Sequence, residues 1–341
     1  MNATHAPLPD GPLPPLVRVE LVRPRRWWPR VLLVLFVFSA LLNLILLVST
    51  AAFVGGSSTP TETFVSGEAF SSDKIAIIDI TGTIMPPFTE RTLKTIDQLI
   101  KDDSVKGVLL SVDSPGGFVA DSHQIYARLQ KLRQKKPIFV SMKRIAASGG
   151  YYVAMGAGPE AKIFAEPTTW TGSIGVIIPR YDVSKLAADY GVKSAPLVTG
   201  PFKDSLSPFR EMTPEEETLW KEIMADSFDR FQGIIDEGRA NLTLEQIVPL
   251  ATGRIFTANQ ALAVGLVDQI GFEEDAIEAL KTHLKLTSVR VVRHRQPPTL
   301  LDVLLGAHAK SDPVDPLQQL LEASTPRAMY FCGWQAGMSA R

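Results

Sequence analysis

An uninterrupted apolar run near the N-terminus constrains the fold of this chain more than any other feature. Residues 31–54 read VLLVLFVFSALLNLILLVSTAAFV and carry no charged side chain. A helix of this length measures about 36 Å, which exceeds the roughly 30 Å hydrocarbon core of a bilayer. The run therefore predicts one transmembrane helix. A cleaved secretory signal is the alternative, because Ser49, Ala51 and Ala52 provide small residues near its end, but the apolar core of a signal is only about 7–15 residues long.

The charges around this run predict its orientation. Five arginines precede it within a short stretch: Arg18, Arg23, Arg25, Arg26 and Arg30. Because positively charged flanks stay in the cytoplasm and tryptophan favours the interface, as Trp27 and Trp28 would, the N-terminus is expected inside and everything after about Gly55 outside. Over the whole chain, 35 Lys and Arg balance 36 Asp and Glu, so no nucleic-acid partner is expected.

Cysteine and histidine usage predicts neither a disulfide nor a metal site. The single cysteine, Cys332, cannot form an intrachain disulfide. Histidines are scattered without HExxH or another ligand spacing. They are His5, His123, His283, His294 and His308. We therefore expect no metal and no cofactor.

Composition divides the chain into five predicted segments. These are a disordered cytoplasmic tail (1–30), the membrane anchor (31–54), a flexible linker (55–72), one folded domain (73–285) and a poorly ordered C-terminal tail (286–341). Inside the folded domain, short β-rich runs alternate with amphipathic segments, which is typical of an α/β domain with largely parallel strands. The predicted strands are 74–80, 105–112, 137–142, 162–165, 173–178 and 193–198. The predicted helices are 90–101, 120–133, 149–155, 183–190, 213–240, 258–264 and 273–283.

Three short segments carry the residue types that hydrolytic chemistry needs. Residues 113–117 read DSPGG, and a Gly-Gly pair after a strand can turn N–H groups toward a bound carbonyl, as an oxyanion hole does. Ser148, in AASGGYY, is predicted at a helix start with Gly149 beside it, and Lys203 lies in the loop GPFKDS. Taken singly, each segment is more often structural: a plain turn, a serine N-cap and a solvated surface lysine.

Taken together, these segments resemble one peptidase family. DSPGG, AASGGYYVA, WTGSIGV, PFKDSLSPFREMT and ATGRIFTANQALAVGLVDQIG occur in this order. They are similar to signal peptide peptidase A, a Ser/Lys peptidase related in fold to Clp protease and the crotonases. The resemblance covers roughly residues 74–284 and is greatest to the short, single-domain form. It implies an α/β fold of the Clp/crotonase type, a spiral of repeated β-β-α units, preceded by one transmembrane helix. Ala258 stands where the family often has glycine, and the tail after Arg295 has no recognised counterpart.

The resemblance also implies roles for individual residues. A serine hydroxyl is a poor nucleophile, so a base must take its proton, and a lysine can do this only when it is neutral. Burial under substrate or a neighbouring subunit is the means by which a lysine becomes neutral. By resemblance, the nucleophile is Ser148, the base is Lys203, the oxyanion donors are Gly116 or Gly117 with Gly149, and Ser173 of TGSIG positions the lysine.

The implied function is degradation of signal peptides left in the membrane, and of other extended peptides that bind by strand addition. The family resemblance implies a ring-like homo-oligomer in which neighbouring subunits bring Ser and Lys together, located in the bacterial cytoplasmic membrane. Three alternatives remain at this stage. They are a crotonase-type acyl-CoA enzyme, a catalytically silent membrane scaffold, and a peptidase in which His123 replaces the lysine as base.

Overall fold

The computed structural model of the protein describes residues 27–54, 61–295 and 329–331. It contains two compact units, residues 1–56 and 57–341. In the first unit, helix α1 (Trp28–Val54) confirms a helix over the predicted anchor, and by length and composition its residues 28–46 could cross a membrane. The amide of Asn43 donates to the carbonyl of Ser39 (2.7 Å), so this polar group is satisfied within the helix. The predicted tail 1–30 lies almost wholly outside the described residues.

The second unit alternates strands and helices along the chain. Its strands are β1 (Thr61–Gly67), β2 (Lys74–Ile84), β3 (Val105–Phe118), β4 (Ile138–Ala147), β5 (Ile163–Ala165), β6 (Trp170–Gly172), β7 (Ile255–Thr257), β8 (Gln269–Ile270), β9 (Arg290–Arg295) and β10 (Met329–Phe331). Its helices are α2 (Phe88–Lys101), α3 (Val119–Arg133), α4 (Gly149–Ala154), α5 (Ser184–Asp189), α6 (Pro214–Gly238), α7 (Leu244–Ile247), α8 (Ala258–Ala263) and α9 (Glu273–His283).

A mostly parallel sheet organises this unit. In the described part of the chain its order is β1-β9-β2-β3-β4-β5-β8, with β6 beside the end of β4, β7 antiparallel to β6, and β10 antiparallel to β3. β4 pairs with β3 only as far as Ser114, which lies opposite Ala146. β2 continues alongside β3 until Ile84 lies opposite Gly117. The sheet therefore opens between β3 and β4 at their carboxyl ends, which is where parallel sheets bind ligands.

The core covers both faces of the sheet. In β2, Ile75 and Ile77 join one apolar cluster with α9, whereas Ile78 and Ile80 join a second cluster with α2 and α3. Such two-sided burial gives the nearly continuous apolar run typical of parallel strands. Burying each large aliphatic side chain contributes about 1.5–3 kcal/mol, so the sheet is a rigid base for the loops at its carboxyl edge.

Four of the six predicted strands are confirmed as β2, β3, β4 and β5, and β2 to β4 run further at their carboxyl ends than predicted. Helix α6 is also confirmed, including its Thr213 N-cap. The predicted strands at 173–178 and 193–198 are wrong, because β6 ends at Gly172 and residues 193–198 form no strand. Leu197 is fully exposed, and no strand among the described residues pairs with this segment, so its apolar composition alone does not form a strand.

The structure differs from the predicted segment boundaries at both margins of the folded domain. β1 lies inside the predicted linker, and β9 lies inside the predicted C-terminal tail. The two strands pair antiparallel, and β9 also pairs with β2, which buries Val291 and Val292. Both strands are short and flanked by polar, low-complexity sequence, so only the pairing partner reveals them.

Candidate active site

Ser148 sits at the junction between β4 and α4 in an unusual backbone conformation. Its φ is 55° and its ψ is −118°, a region that residues other than glycine rarely adopt and that costs about 1–3 kcal/mol. Its N–H donates to the carbonyl of Gly172 (2.7 Å), and its own carbonyl accepts from the N–H of Tyr152 (2.9 Å). A strained serine between a strand and a helix is the geometry of a nucleophile elbow.

The Ser148 side chain is buried and unsatisfied. The residue is 1 % exposed, and its Oγ has no hydrogen-bond partner among the described residues. Leaving a buried hydroxyl without a partner costs about 1–3 kcal/mol. Ser122 and Ser141 also have buried hydroxyls without a partner among the described residues, so Ser148 is distinguished by combining its free hydroxyl with a strained backbone at the start of a helix.

The glycines predicted as oxyanion donors lie together. A Cβ atom added to Gly149 would lie 3.1 Å from the nitrogen of Gly117 and 3.1 Å from the Cα atom of Gly116. A Cβ atom added to Gly150 would lie 2.7 Å from the carbonyl oxygen of Ser114. The start of α4 therefore packs directly on the DSPGG segment, and only glycine fits at these two helix positions.

Ser114 arranges the DSPGG segment, a role that the sequence analysis missed. Its Oγ donates to the carbonyl of Gly82 on β2 (2.6 Å) and accepts from the N–H of Gly116 (3.1 Å). Because the Gly116 N–H is already bonded, Gly117 is the better placed of the two to face a substrate carbonyl together with Gly149. A serine two residues before a glycine is a common turn signal, so the sequence could have indicated the hydrogen bond between Ser114 and Gly116.

Ser173 lies next to the backbone that supports Ser148. It follows Gly172, whose carbonyl accepts the Ser148 N–H, and it too has a positive φ, of 50°. Its own N–H donates to the carbonyl of Arg254 (2.7 Å), and the residue is buried. The Ser148 N–H is thus bonded to the residue directly before Ser173, the second serine with a positive φ.

Lys203 is not joined to Ser148 within one chain. It is exposed in the loop between α5 and α6, and its N–H donates to the carbonyl of Gly200 (3.2 Å). In the described residues no hydrogen bond links it to Ser148, whose Oγ is unpartnered. The structure thus brings together Ser148, Ser173 and the glycines but leaves the lysine apart from them.

An ion cluster centred on Arg210 anchors the Lys203 loop. The Arg210 guanidinium donates to the side chain (3.1 Å) and carbonyl (2.7 Å) of Asp204, the neighbour of Lys203, and to the Glu216 carboxylate (2.6 Å). Glu216 also caps α6 by accepting from the N–H of Thr213 (2.9 Å). The hydrogen bond from Arg210 holds the pKa of Glu216 at about 2. The sequence analysis identified the helix cap but not its link to the loop.

Comparison with known proteins identifies the family. The sequence model described as Peptidase family S49 matches residues 130–287, and that of Clp protease matches residues 69–171. The chain is 34% identical over 304 residues to a putative signal peptide peptidase SppA of Enterococcus faecium, covering 82% of this chain and 87% of that relative. The chain belongs to peptidase family S49.

Two further relatives are similar to this S49 peptidase. A putative protease of Synechocystis sp. is 41% identical over 203 residues, covering 60% of this chain and 72% of the relative. The chloroplastic serine protease SPPA of Arabidopsis thaliana is 31% identical over 270 residues, covering 74% of this chain and 39% of the relative. The matches confirm the family resemblance, and the Clp protease match confirms the expected Clp-like fold class.

His123 of the S49 peptidase is engaged away from Ser148. Its Nδ1 lies 2.7 Å from the hydroxyl of Tyr152, and its ring stacks on that of Tyr126. Burial, and secondarily the charge of Arg230, lowers the pKa of His123. These contacts hold the His123 imidazole in a polar and aromatic cluster between α3, α4 and α6. They give no support to the alternative in which His123 is the base for Ser148.

The described residues contain no group of three or more His, Cys, Asp or Glu side chains that could hold a metal ion. Cys332 and His308 lie outside the described residues.

Proposed function

We propose that this S49 peptidase is a membrane-anchored serine endopeptidase in which Ser148 is the nucleophile and Lys203 the general base. The observation that carries the proposal is the Ser148 side chain, which is buried, unpartnered and held in a strained conformation beside a glycine-rich turn. Its hydroxyl has both the position and the free hydrogen-bonding capacity that an activated nucleophile needs.

The proposed reaction passes through an acyl-enzyme. The Ser148 Oγ attacks the peptide carbonyl carbon while its proton moves to the neutral Lys203 Nζ. The N–H groups of Gly117 and Gly149 stabilise the resulting oxyanion, and the protonated lysine then delivers its proton to the leaving amine. Water, deprotonated by the lysine, releases the acyl group and regenerates the serine. Ser173, next to the carbonyl that holds Ser148, orients the lysine in this scheme.

The base is proposed to come from a neighbouring subunit in a ring-like homo-oligomer. The unpartnered Ser148 Oγ and the exposed Lys203 in the isolated chain support this arrangement. Large apolar side chains are exposed along the same segment: Ile177, Tyr181, Leu186, Leu197, Phe202 and Phe209. Exposed apolar surface of this extent is typical of a protein interface, and covering it with a second subunit would exclude water from the lysine.

The proposed substrates are signal peptides left in the membrane and other extended peptides. One relative carries the name signal peptide peptidase, and α1 could hold the domain at a membrane surface where such peptides reside. The arginines before the anchor support a cytoplasmic N-terminus and an extracytoplasmic catalytic domain at the bacterial cytoplasmic membrane.

Peptide hydrolysis by the detergent-purified full chain tests the proposed function. We expect Ser148→Ala and Lys203→Ala each to lower kcat by at least about 10³-fold, because each removes one of two groups that act as a unit. Ser141→Ala is the matched control, since Ser141 is also buried and unpartnered but lies in the middle of β4. Normal turnover by either catalytic variant, with circular dichroism unchanged, would contradict the proposal.

A further inference from the structure

A second buried hydroxyl without a partner lies beside the candidate nucleophile. Ser122, in the first turn of α3, is 0 % exposed, and its Oγ forms no hydrogen bond within the described residues. A serine in a helix commonly donates to a carbonyl three or four residues earlier, and Ser122 does not. Because a buried hydroxyl without a partner destabilises the fold, this side chain calls for an acceptor that the free chain does not provide.

The Ser122 hydroxyl lies directly against Gly149, one of the two proposed oxyanion donors. A Cβ atom added to Gly149 would be 2.6 Å from the Ser122 Oγ and 3.1 Å from the nitrogen of Gly117. In a helix, the Cα–Cβ direction and the N–H bond both point toward the N-terminal end. The Ser122 Oγ is therefore on the same side of Gly149 as the Gly149 N–H, and the hydroxyl borders the same small region as the two backbone donors.

The position of the unpartnered hydroxyls supports a common purpose for two of them. In the part of the chain that the structure describes, four hydroxyls are buried without a partner. Ser148 and Ser122 both adjoin Gly149, the first through the chain and the second through space. Thr89, in the first turn of α2, and Ser141, in the middle of β4, lie in other elements.

We infer that the Ser122 hydroxyl is a third donor to the oxyanion, beside the N–H groups of Gly117 and Gly149. The inference rests on the proposed function, because it takes Ser148 as the nucleophile, and it deepens that function by assigning a further catalytic residue. A carbonyl oxygen has two lone pairs, whereas the oxyanion formed by the attack of Ser148 has three. The third donor thus finds its acceptor only in the transition state, so its hydrogen bond raises kcat without tightening substrate binding.

Steady-state kinetics of the full chain with a short peptide separate this role from a structural one. We expect Ser122→Ala to lower kcat at least about tenfold with KM nearly unchanged, because one transition-state donor is lost. Its Tm should equal or exceed that of wild type, since the substitution removes a buried hydroxyl that has no partner. Ser141→Ala, the control, should likewise keep its Tm but have an unchanged kcat. A wild-type kcat for Ser122→Ala, or a lower kcat accompanied by a lower Tm, would overturn the inference.

A second variant separates hydrogen bonding from packing. Ser122→Cys keeps a side chain at this position but replaces the hydroxyl with a much weaker donor. We expect its kcat to stay reduced, as in Ser122→Ala. A wild-type kcat for the cysteine variant would assign the effect of the alanine variant to packing and overturn the inference.

Inhibition by a peptide aldehyde tests the donor directly, because the aldehyde forms a tetrahedral adduct with a serine nucleophile and so resembles the transition state. The inhibition constant should rise in Ser122→Ala by about the same factor as kcat/KM falls. An unchanged inhibition constant would contradict the assignment. If Ser148→Ala is inactive while Ser122→Ala has full activity, the inference fails and the proposed function stands. If the wild-type chain neither hydrolyses peptides nor reacts with the aldehyde, both fail.

Discussion

Close contacts between small residues determine the geometry around Ser148. Gly149 and Gly150 lack side chains where the DSPGG segment packs on the helix start, and Ser114 bonds to both Gly82 and Gly116. The strained φ of Ser148 persists because hydrogen bonds hold its N–H and its carbonyl. Adding a methyl group to one of these glycines, or removing the Ser114 hydroxyl, would displace the N–H groups that are proposed to face the substrate.

Ser114→Ala tests this arrangement. The substitution frees the Gly116 N–H and the Gly82 carbonyl, so the turn that presents Gly117 loosens. We expect kcat to fall about tenfold with KM nearly unchanged, since the oxyanion forms only in the transition state. Stability should fall by about 1–2 kcal/mol. Ser141→Ala serves again as the control, and an unchanged kcat for Ser114→Ala alongside reduced stability would give Ser114 a purely structural role.

The sequence could predict which residues approach Ser148 but not how they bond. Gly116, Gly117 and Gly149 are recognisable from their position after strands and from the family resemblance. Which of the first two faces the site depends on the Ser114 hydroxyl, and its contact with Gly82 joins residues that are 32 positions apart. Such a contact follows from strand register, which no local pattern specifies.

Arg210 links the loop that carries Lys203 to the start of helix α6 by hydrogen bonds. The guanidinium joins Asp204 to Glu216, and Trp220 donates to the hydroxyl of Ser205 (3.0 Å). The chain is therefore held directly after Lys203, which limits the entropy lost when a neighbouring subunit covers the lysine.

The pH dependence of stability tests this anchor. The pKa of Glu216 is about 2 in the folded protein against an ordinary 4.5, so its ionised form stabilises the fold above pH 4.5 and this contribution is lost as pH falls toward 2. We expect Tm to drop less between pH 4.5 and 2 for Glu216→Gln than for wild type. Glu217→Gln is the control, because that carboxylate is exposed and its ion pair with Lys221 is screened by solvent. Equal pH slopes for wild type and Glu216→Gln would contradict the anchor.

The strands whose two faces are both buried could be predicted from the sequence. The strands that are recognisable only from the strand they pair with could not. β2 to β5 have continuous apolar runs bounded by turn residues, and α6 has a complete capping signal. β1, β9 and β10 are short and lie in polar surroundings, so their pairing alone identifies them. The segment at 193–198 has the composition of a strand but pairs with no other strand in the described part of the chain.

For the molecule as a whole, one chain brings together the proposed nucleophile and oxyanion donors but forms no hydrogen bond between Ser148 and the proposed base, Lys203. A Clp-like domain provides the strained serine and the glycines, and exposed apolar residues occur along the chain segment that carries Lys203. Sequence patterns do not predict oligomer formation, because apolar residues of an interface and apolar residues of a core look the same in the sequence. We infer subunit assembly from the unsatisfied hydroxyl and the exposed apolar segment together.

Mixing two inactive variants tests shared sites. If each site takes Ser148 from one subunit and Lys203 from the next, random co-assembly of Ser148→Ala with Lys203→Ala chains should restore about a quarter of the wild-type activity. The chains must be mixed before assembly, by co-expression, and each variant alone provides the baseline. Activity no greater than that baseline, in rings shown to contain both chains, would place the two groups of each site on one subunit.

Covalent labelling tests the pairing of Ser148 with Lys203 most directly. The assembled wild-type protein is treated with a fluorophosphonate, the modified residue is located by peptide mass spectrometry, and the labelling rate is compared with that of Lys203→Ala. We predict a phosphonyl adduct on Ser148 and a rate at least about 10²-fold lower in the lysine variant, because the serine then lacks its base. An adduct on another serine, or equal labelling rates in the two proteins, would contradict the account.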